Sequence, residues 1–202
     1  MSANDIIFKN FSGIKYKKQK KILYKFLKNK KLIKEYPLLK SLTKDYQYSY
    51  KKADIKNLQK FNSFNLIGMG GATLGTEAIY DFLKHKVKKN FCFFNNLQCK
   101  ELSKSKSKKV NLIISKSGNT LETISNFNLI LKNQKKNKNV VITEKKNSHL
   151  TFLAKKLKAE IIEHKNFIGG RYSVLSEVGM LPAEIMGLNE KKFKRFNNLI
   201  KN

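Results

Sequence analysis

The fold of this chain is decided by residues 111–123, which read NLIISKSGNTLET. An apolar run ends abruptly at Ser115, and a second serine, a glycine and a threonine follow it within the next five residues. From Thr120 onward the apolar positions recur at the spacing of a helix. The stretch therefore predicts a buried strand, a tight polar turn and a helix.

Short apolar runs alternate with helical stretches on both sides of this segment. Unbroken apolar strands that alternate with helices indicate a parallel sheet that is covered on both faces. We therefore expect an α/β fold, a doubly wound αβα sandwich with a mainly parallel five-stranded sheet that binds ligands at the carboxyl ends of its strands. The predicted strands are 64–68, 91–94, 110–114, 139–143 and 159–163, and the predicted helices are 73–84, 120–133 and 148–157.

Three regions are predicted along the chain. Residues 1–60 are polar with helix-like apolar spacing, and we interpret them as an N-terminal helical extension that packs on the later domain. Residues 61–190 form the α/β domain, and residues 191–202 form a basic tail. The low-complexity stretch KELSKSKSKK at 100–109 is interpreted as a solvated helix end or loop.

The chain has 202 residues and a formal net charge of +29, which raises the question of nucleic-acid binding. Nearly all of the positive charge is lysine, scattered along the chain, and an A/T-rich genome would produce the same excess of Lys, Asn, Ile and Phe. Proteins that read nucleic acid favour arginine forks and exposed aromatic residues. We therefore expect weak, salt-sensitive attraction of polyanions and no specific nucleic-acid partner.

The sequence contains no predicted membrane-spanning segment, signal peptide or metal site. No apolar run approaches the roughly 20 residues that span a bilayer, and the start of the chain does not resemble a signal peptide. Cys92 and Cys99 form neither a CxxC pair nor a cluster with histidine, so no metal site and no disulfide framework are predicted. We expect a cytoplasmic protein that does not interact with membranes.

The turn after the 110–114 strand has the composition of a phosphate site. Ser115, Ser117 and Thr120 can direct hydroxyl groups to one point, and Gly118 lets the backbone approach it closely. A helix N-terminus adds free N–H groups and partial positive charge at that point. These features favour a phosphate monoester. The alternative is a simple helix cap made by Asn119 or Thr120.

A second loop, GMGGATLG at 68–75, also joins a strand to a helix. Gly68, Gly70 and Gly71 permit tight backbone geometry beside a ligand. The spacing differs from the G-x-G-x-x-G of dinucleotide sites, and no acidic residue ends the following strand. No Gly-Lys-Ser/Thr follows either, so nicotinamide and nucleotide cofactors are not expected.

Arg171 and Arg195 are the two arginines of a lysine-rich chain. Arg171 lies in FIGGRYSVLSEVGMLPAEIMG at 167–187, where a rigid guanidinium could hold a developing oxyanion or an acidic ligand group. The alternative is an arginine that bridges a helix C-terminus. Arg195 is interpreted as a surface charge.

The three histidines give one weak site candidate. His85 and His149 belong to lysine- and asparagine-rich stretches and are interpreted as surface residues. His164 follows the fifth predicted strand and lies close to the loop of Arg171 in sequence, which is a position from which it could contact a ligand.

Together these loops resemble the phosphoglucose isomerase family, whose domains are of the sugar isomerase (SIS) type. The similar stretches are IGMGGATLG, SKSGNTLET and IGGRYSVLSEVGMLPAEI, in family order, and the resemblance covers roughly residues 63–188. It implies that the chain interconverts glucose 6-phosphate and fructose 6-phosphate in glycolysis and gluconeogenesis, through a cis-enediol and without any cofactor. The partner would then be a small hexose phosphate.

The resemblance also implies roles for individual residues. Arg171 would be catalytic and stabilise the enediolate, with Gly170 beside it. One departure is Ala72, where many members carry a hydroxyl residue. The substrate-binding residues implied by the matching motifs are Gly70, Gly71, Ser115, Lys116, Ser117, Thr120 and Gly170.

The length of the chain limits what the resemblance implies. Members of the family continue into a second SIS domain that supplies the catalytic base, and neither Glu122 nor Glu177 corresponds to it. We therefore expect the N-terminal portion of such an enzyme, which binds sugar phosphate with little or no turnover. Its further partners would be a second copy in a homodimer or the missing second SIS domain. The alternative is a non-catalytic SIS module that binds a sugar phosphate.

Overall fold

A computed structural model describes residue 21 and residues 34–43, 45–97, 108–133 and 137–194. Its centre is a five-stranded sheet in the order β2-β1-β3-β4-β5, and every neighbouring pair of strands is parallel. The predicted α/β fold with a parallel five-stranded sheet is therefore confirmed. The strands are Ser63–Ile67 (β1), Asn90–Phe94 (β2), Val110–Ile114 (β3), Lys138–Thr143 (β4) and Glu160–Glu163 (β5).

Helices connect and flank the strands, and the predicted ones agree with the structure to within a residue or two. Short 3₁₀ turns occur at Pro37–Leu42, Gly70–Ala72, Lys84–Lys86 and Gly170–Tyr172. The α-helices are Lys52–Gln59 (α1), Leu74–Leu83 (α2), Leu121–Asn133 (α3), His149–Lys156 (α4), Glu177–Ile185 (α5) and Glu190–Phe193 (α6).

Successive strand residues point into two separate cores, as the period of a strand requires. Leu112 packs in the core formed with α1 and α5, whereas its neighbour Ile113 packs in the core formed with α3 and α4. Both side chains are fully buried. Each such aliphatic side chain contributes about 1.5–3 kcal/mol by leaving water, so helices are needed on both faces and the sheet is doubly wound.

The strand order also locates the ligand crevice. After β1 the chain crosses to α2, which packs against α5 on one face, and after β3 it crosses to α3 on the other face. The loops that follow β1 and β3 therefore diverge at the carboxyl edge of the sheet. In open α/β sheets, this point of divergence is where ligands bind.

Part of the predicted N-terminal extension packs directly on the α/β sheet. Tyr50, Ile55 and Leu58 belong to the same buried cluster as β1, β3 and α5. Residues 1–20, 22–33 and 44 of that extension lie outside the described residues, as do 100–107 of the low-complexity stretch and 195–202 with Arg195. The described helices include none that is long and apolar enough to cross a membrane.

Candidate functional site

The loop after β3 directs three hydroxyl groups to the start of α3. The Ser115 and Thr120 hydroxyl oxygens lie 2.9 Å apart, and the Ser117 hydroxyl oxygen lies 3.5 Å from that of Thr120. The Ser115 amide donates to the Ile142 carbonyl at 3.1 Å, which fixes the start of the loop to β4. The 13-residue helix α3 begins one residue after Thr120, so its dipole adds partial positive charge beside the hydroxyls.

Gly118 is required by the shape of this loop. Its φ is +68°, and a Cβ at this position would lie 2.1 Å from the Ser148 hydroxyl oxygen. The Gly118 amide donates to the Ser115 hydroxyl oxygen at 3.1 Å. A side chain would therefore push the loop away from the start of α4 and disturb the hydroxyl cluster.

The contacts of the Asn119 side chain do not support the alternative that Asn119 caps helix α3. The Asn119 side-chain oxygen accepts a hydrogen bond from the His149 amide at 3.0 Å, so it serves the start of α4 and not that of α3. The Thr120 hydroxyl is engaged with Ser115 and Ser117. The hydroxyls therefore form a cluster of their own at the helix N-terminus, which is an arrangement that suits an anion.

Charged side chains from the β3 and β4 loops form a second wall. The Lys116 ammonium donates to the Asn166 carbonyl at 2.7 Å and lies 3.5 Å from a Glu144 carboxylate oxygen. The Lys146 ammonium pairs with the other oxygen of Glu144. Burial alone would raise the pKa of Glu144, but the hydrogen bond and charge of Lys146, together with Lys116, hold that pKa below its usual value. Glu144 is therefore a carboxylate at neutral pH.

The glycine turns after β1 and β5 meet backbone to backbone at the third wall. The Ser173 hydroxyl donates to the Gly170 carbonyl at 2.7 Å and lies 3.2 Å from the Gly71 carbonyl oxygen. A Cβ on Gly71 would lie 2.2 Å from that Gly170 oxygen. Gly70 adopts a φ of +55° in the same turn. The two turns can lie this close because neither has a side chain at the contact.

These walls enclose a cleft of about 430 Å³ at the carboxyl edge of the sheet. Ser115, Lys116, Ser117, Thr120 and Gly170 line it, as do Met69 and Ala72 on either side of the Gly70–Gly71 turn. The structure thus brings together five of the residues selected from the sequence.

Arg171 does not line this cleft. Its side chain is exposed, and with Gly71 it lines a neighbouring, mostly apolar depression of about 570 Å³ beside α2. Gly170 lines both hollows, so the backbone of residue 170 separates Arg171 from the hydroxyl cluster. The structure does not bring Arg171 into the same cleft as Ser117.

Sequence reasoning missed several residues that line the cleft. Glu144 directly follows β4, Lys146 lies two residues further on, and Ser173 follows the Gly-Gly-Arg turn. Applying the strand-end rule to β4 as it was applied to β3 would have found Glu144. His164, a weak candidate in the sequence, lines the cleft and is 2% exposed, whereas His85 and His149 are exposed as predicted.

Solved structures with this fold include proteins that act on or bind sugar phosphates. The structure is similar to a tagatose-6-phosphate ketose/aldose isomerase from Escherichia coli, with a TM-score of 0.56 and 13% identity over 71% of this chain and 44% of that one. It is also similar to the Vibrio vulnificus NanR protein complexed with ManNAc-6P, with a TM-score of 0.54 and 15% identity over 91% and 71% of the two chains. At these identities the likeness shows a shared fold and no more.

Relatives found by sequence identify the family more narrowly than the solved structures do. A glucose-6-phosphate isomerase from Methanocaldococcus jannaschii is 38% identical over 154 residues, which cover 68% of this chain and 37% of the relative. One from Borreliella afzelii is 34% identical, over 62% of this chain and 27% of the relative. The chain thus spans about a third of the length of the relatives it matches. The family model for phosphoglucose isomerase matches residues 32–201, and the chain therefore belongs to the phosphoglucose isomerase family.

Proposed function

We propose that this chain binds the phosphate group of a hexose 6-phosphate, as the phosphate-binding part of a glucose-6-phosphate isomerase. The observation that carries the proposal is the convergence of the Ser115, Ser117 and Thr120 hydroxyls with Lys116 in one cleft at the start of α3. Hydroxyl donors, a helix N-terminus and an ammonium together match the charge and the acceptor oxygens of a phosphate monoester.

The rest of the sugar would extend from the phosphate toward the glycine turns. Gly70, Gly71 and Gly170 would line the substrate, and Arg171 would stabilise negative charge on the enediolate. Arg171 directly follows Gly170, and its side chain forms no ion pair with any residue that the structure describes. Reorienting the exposed guanidinium toward a bound substrate would therefore break no ion pair with the described residues.

We expect little or no isomerase turnover from the 202-residue chain alone. Aldose–ketose isomerisation needs a base to move a proton between C1 and C2. Among the described residues that line the cleft, Glu144 is the one carboxylate, and its pairing with Lys146 and Lys116 makes it a weak base. A second domain would supply the base in a complete enzyme that works in cytoplasmic glycolysis and gluconeogenesis.

In this proposal, residues 61–190 form the sugar-phosphate-binding domain. Residues 1–60 serve as its N-terminal helical extension, and residues 191–202 as a basic tail. The contacts of Ile55 and Leu58 with the core support the packing of the extension on the domain.

A non-catalytic sugar-phosphate-binding module is the second candidate. The pairing of Glu144 favours it, because a paired carboxylate does not readily accept a proton from carbon. The NanR protein, which shares the fold, holds ManNAc-6P in its solved structure. The two candidates differ in turnover and not in phosphate binding.

Calorimetric titration of the chain with fructose 6-phosphate tests the proposal. Ser115→Ala should weaken binding by about 10- to 100-fold, because a hydrogen bond to a charged group contributes about 1.5–3 kcal/mol. Arg171→Ala should weaken it as well, whereas the matched control Arg195→Ala should not. Equal effects of all three substitutions would falsify the site assignment.

A coupled assay with fructose 6-phosphate separates the two candidates. Measurable turnover by the purified chain would refute the expectation that it lacks a competent base. A chain that binds fructose 6-phosphate without turning it over agrees with both candidates, and turnover restored by adding a polypeptide with the missing base selects the isomerase.

A further inference from the structure

His164 is a buried titratable side chain in the wall of the cleft. It follows β5, and its amide donates to the Thr143 carbonyl at 2.8 Å, which fixes the residue at the carboxyl end of β4. The side chain lines the same hollow as Ser115, Lys116 and Thr120. With 2% of its surface exposed, it has little contact with bulk solvent.

The hydrogen bonds of the His164 ring define its tautomer. Nδ1 lies 3.2 Å from the Lys165 carbonyl oxygen. A carbonyl can only accept a hydrogen bond, so Nδ1 carries a proton. Nε2 forms no hydrogen bond with the described residues, and a neutral ring therefore presents a lone pair at Nε2 that becomes an N–H donor on protonation.

Burial and the neighbouring lysine Lys116 disfavour the protonated form of the ring when the cleft holds no anion. Lys116 faces it from the β3 loop, Glu144 and Lys146 from the β4 loop, and Lys165 follows it on its own segment. The glycine turns contribute uncharged residues to the hollow. Burial lowers the pKa of His164, and Lys116 lowers that pKa further, against the opposing effects of the Lys165 carbonyl and Glu144.

We propose that His164 is a further ligand-binding residue, which takes up a proton from solvent when a phosphate ester enters the cleft and then donates a hydrogen bond from Nε2 to it. This inference rests on the proposed function. A dianion beside Lys116 would neutralise the charge that disfavours the imidazolium, and the new bond would be charge-assisted. Because binding raises the pKa of the ring, affinity rises as the pH falls.

Inorganic sulfate and fructose 6-phosphate together provide the test. The ester itself titrates near pH 6, whereas sulfate keeps its charge, so a pH-dependent sulfate affinity reports on the protein. We expect the wild-type chain to bind sulfate more tightly as the pH falls from about 8 to about 6, by at most roughly tenfold per pH unit. His164→Gln, which retains polar groups but cannot titrate in this range, should show a flat profile.

Proton uptake is measured by repeating the fructose 6-phosphate titration at about pH 7.5 in two buffers that differ in ionisation enthalpy. We expect roughly one proton per site for the wild type and for His149→Gln, the same change at an exposed histidine, and almost none for His164→Gln. Equal uptake by wild type and His164→Gln overturns this inference and leaves phosphate binding intact. Failure of the wild type to bind either anion overturns this inference and the proposed function together.

If His164→Gln does not fold, nuclear magnetic resonance of the wild-type protein can measure the protonation state of the His164 ring directly. In long-range ¹H–¹⁵N spectra, fructose 6-phosphate should convert the His164 ring from the neutral Nδ1–H tautomer to the imidazolium, while His85 and His149 remain unchanged. A ring that stays neutral in the saturated complex contradicts the inference.

Discussion

The absence of a side chain at Gly71 allows the glycine turn after β1 to contact the Gly-Gly-Arg turn after β5. A Cβ at this position would meet the Gly170 carbonyl oxygen at 2.2 Å and the Arg171 amide nitrogen at 2.8 Å. Both neighbours are backbone atoms, which cannot rotate away. The close approach of the glycine turn after β1 to the Gly-Gly-Arg turn therefore depends on hydrogen at this position.

We expect Gly71→Ala to separate the two turns and to lower the free energy of unfolding by about 1–3 kcal/mol, the usual cost of overpacking. Fructose 6-phosphate binding should weaken in the same variant, because Ala72 and Gly170 line the cleft. Urea unfolding and calorimetry measure the two effects.

Gly169→Ala is the matched control. Its Cβ would lie 3.5 Å from a Tyr172 ring carbon, an ordinary contact, so it should leave stability almost unchanged. If Gly71→Ala were as stable as Gly169→Ala, the close contact between the turns would not exist in solution.

At the scale of single elements, strand registry depends on a buried polar ladder that crosses three strands. The Asn65 side chain donates to that of Asn111 at 2.8 Å, and the Asn111 side chain donates to that of Asn139 at the same distance. These residues are register partners across β1, β3 and β4. The aliphatic residues around them could pack in several registers, whereas the amide bonds form in one.

We expect Asn111→Val to destabilise the protein although valine suits a strand. The substitution removes an amide that accepts from Asn65 and Asn137 and donates to Asn139, and each such hydrogen bond contributes about 0.5–1.5 kcal/mol. Urea denaturation should show a lower midpoint, whereas Asn133→Ala, at the exposed end of α3, should change it little. An unchanged midpoint for Asn111→Val would show that packing alone sets the register.

The approximate bounds of the strands could be predicted from the sequence, whereas the contacts between strands and the direction of side chains in turns could not. The pattern VNLII predicts a strand with the bounds that β3 has, because its mostly apolar residues are uninterrupted by a turn residue. The ladder was missed because a single asparagine in a strand does not reveal its cross-strand partners. The hollow that Arg171 lines could not be predicted, because sequence motifs specify which loops carry ligand groups but not which side of a turn a side chain occupies.

At the scale of the whole molecule, a buried carboxylate joins the N-terminal stretch to the α/β domain. Glu177 is fully buried and accepts hydrogen bonds from the Tyr46 hydroxyl at 2.9 Å and from the Ser49 amide at 3.2 Å. The Lys194 ammonium lies over the Tyr46 ring, 4.8 Å from its centroid. Burial raises the pKa of Tyr46, and the Glu177 charge and its hydrogen bond raise that pKa further, so the phenol remains a donor.

The net charge of +29 complicates any binding experiment on this molecule. Lysines are scattered along the sequence, and any anion gains from their charge at low salt. Affinity for fructose 6-phosphate therefore shows that the ligand binds but not where it binds. The location of the phosphate separates a built site from general attraction.

A crystal structure of the chain with fructose 6-phosphate is the most direct measurement. We predict that the phosphorus lies at the start of α3, with phosphate oxygens in hydrogen-bond contact with the Ser115, Ser117 and Thr120 hydroxyls and with Lys116. A phosphate that is found on surface lysines, with the cleft at the β1 and β3 ends empty, would contradict the proposed site.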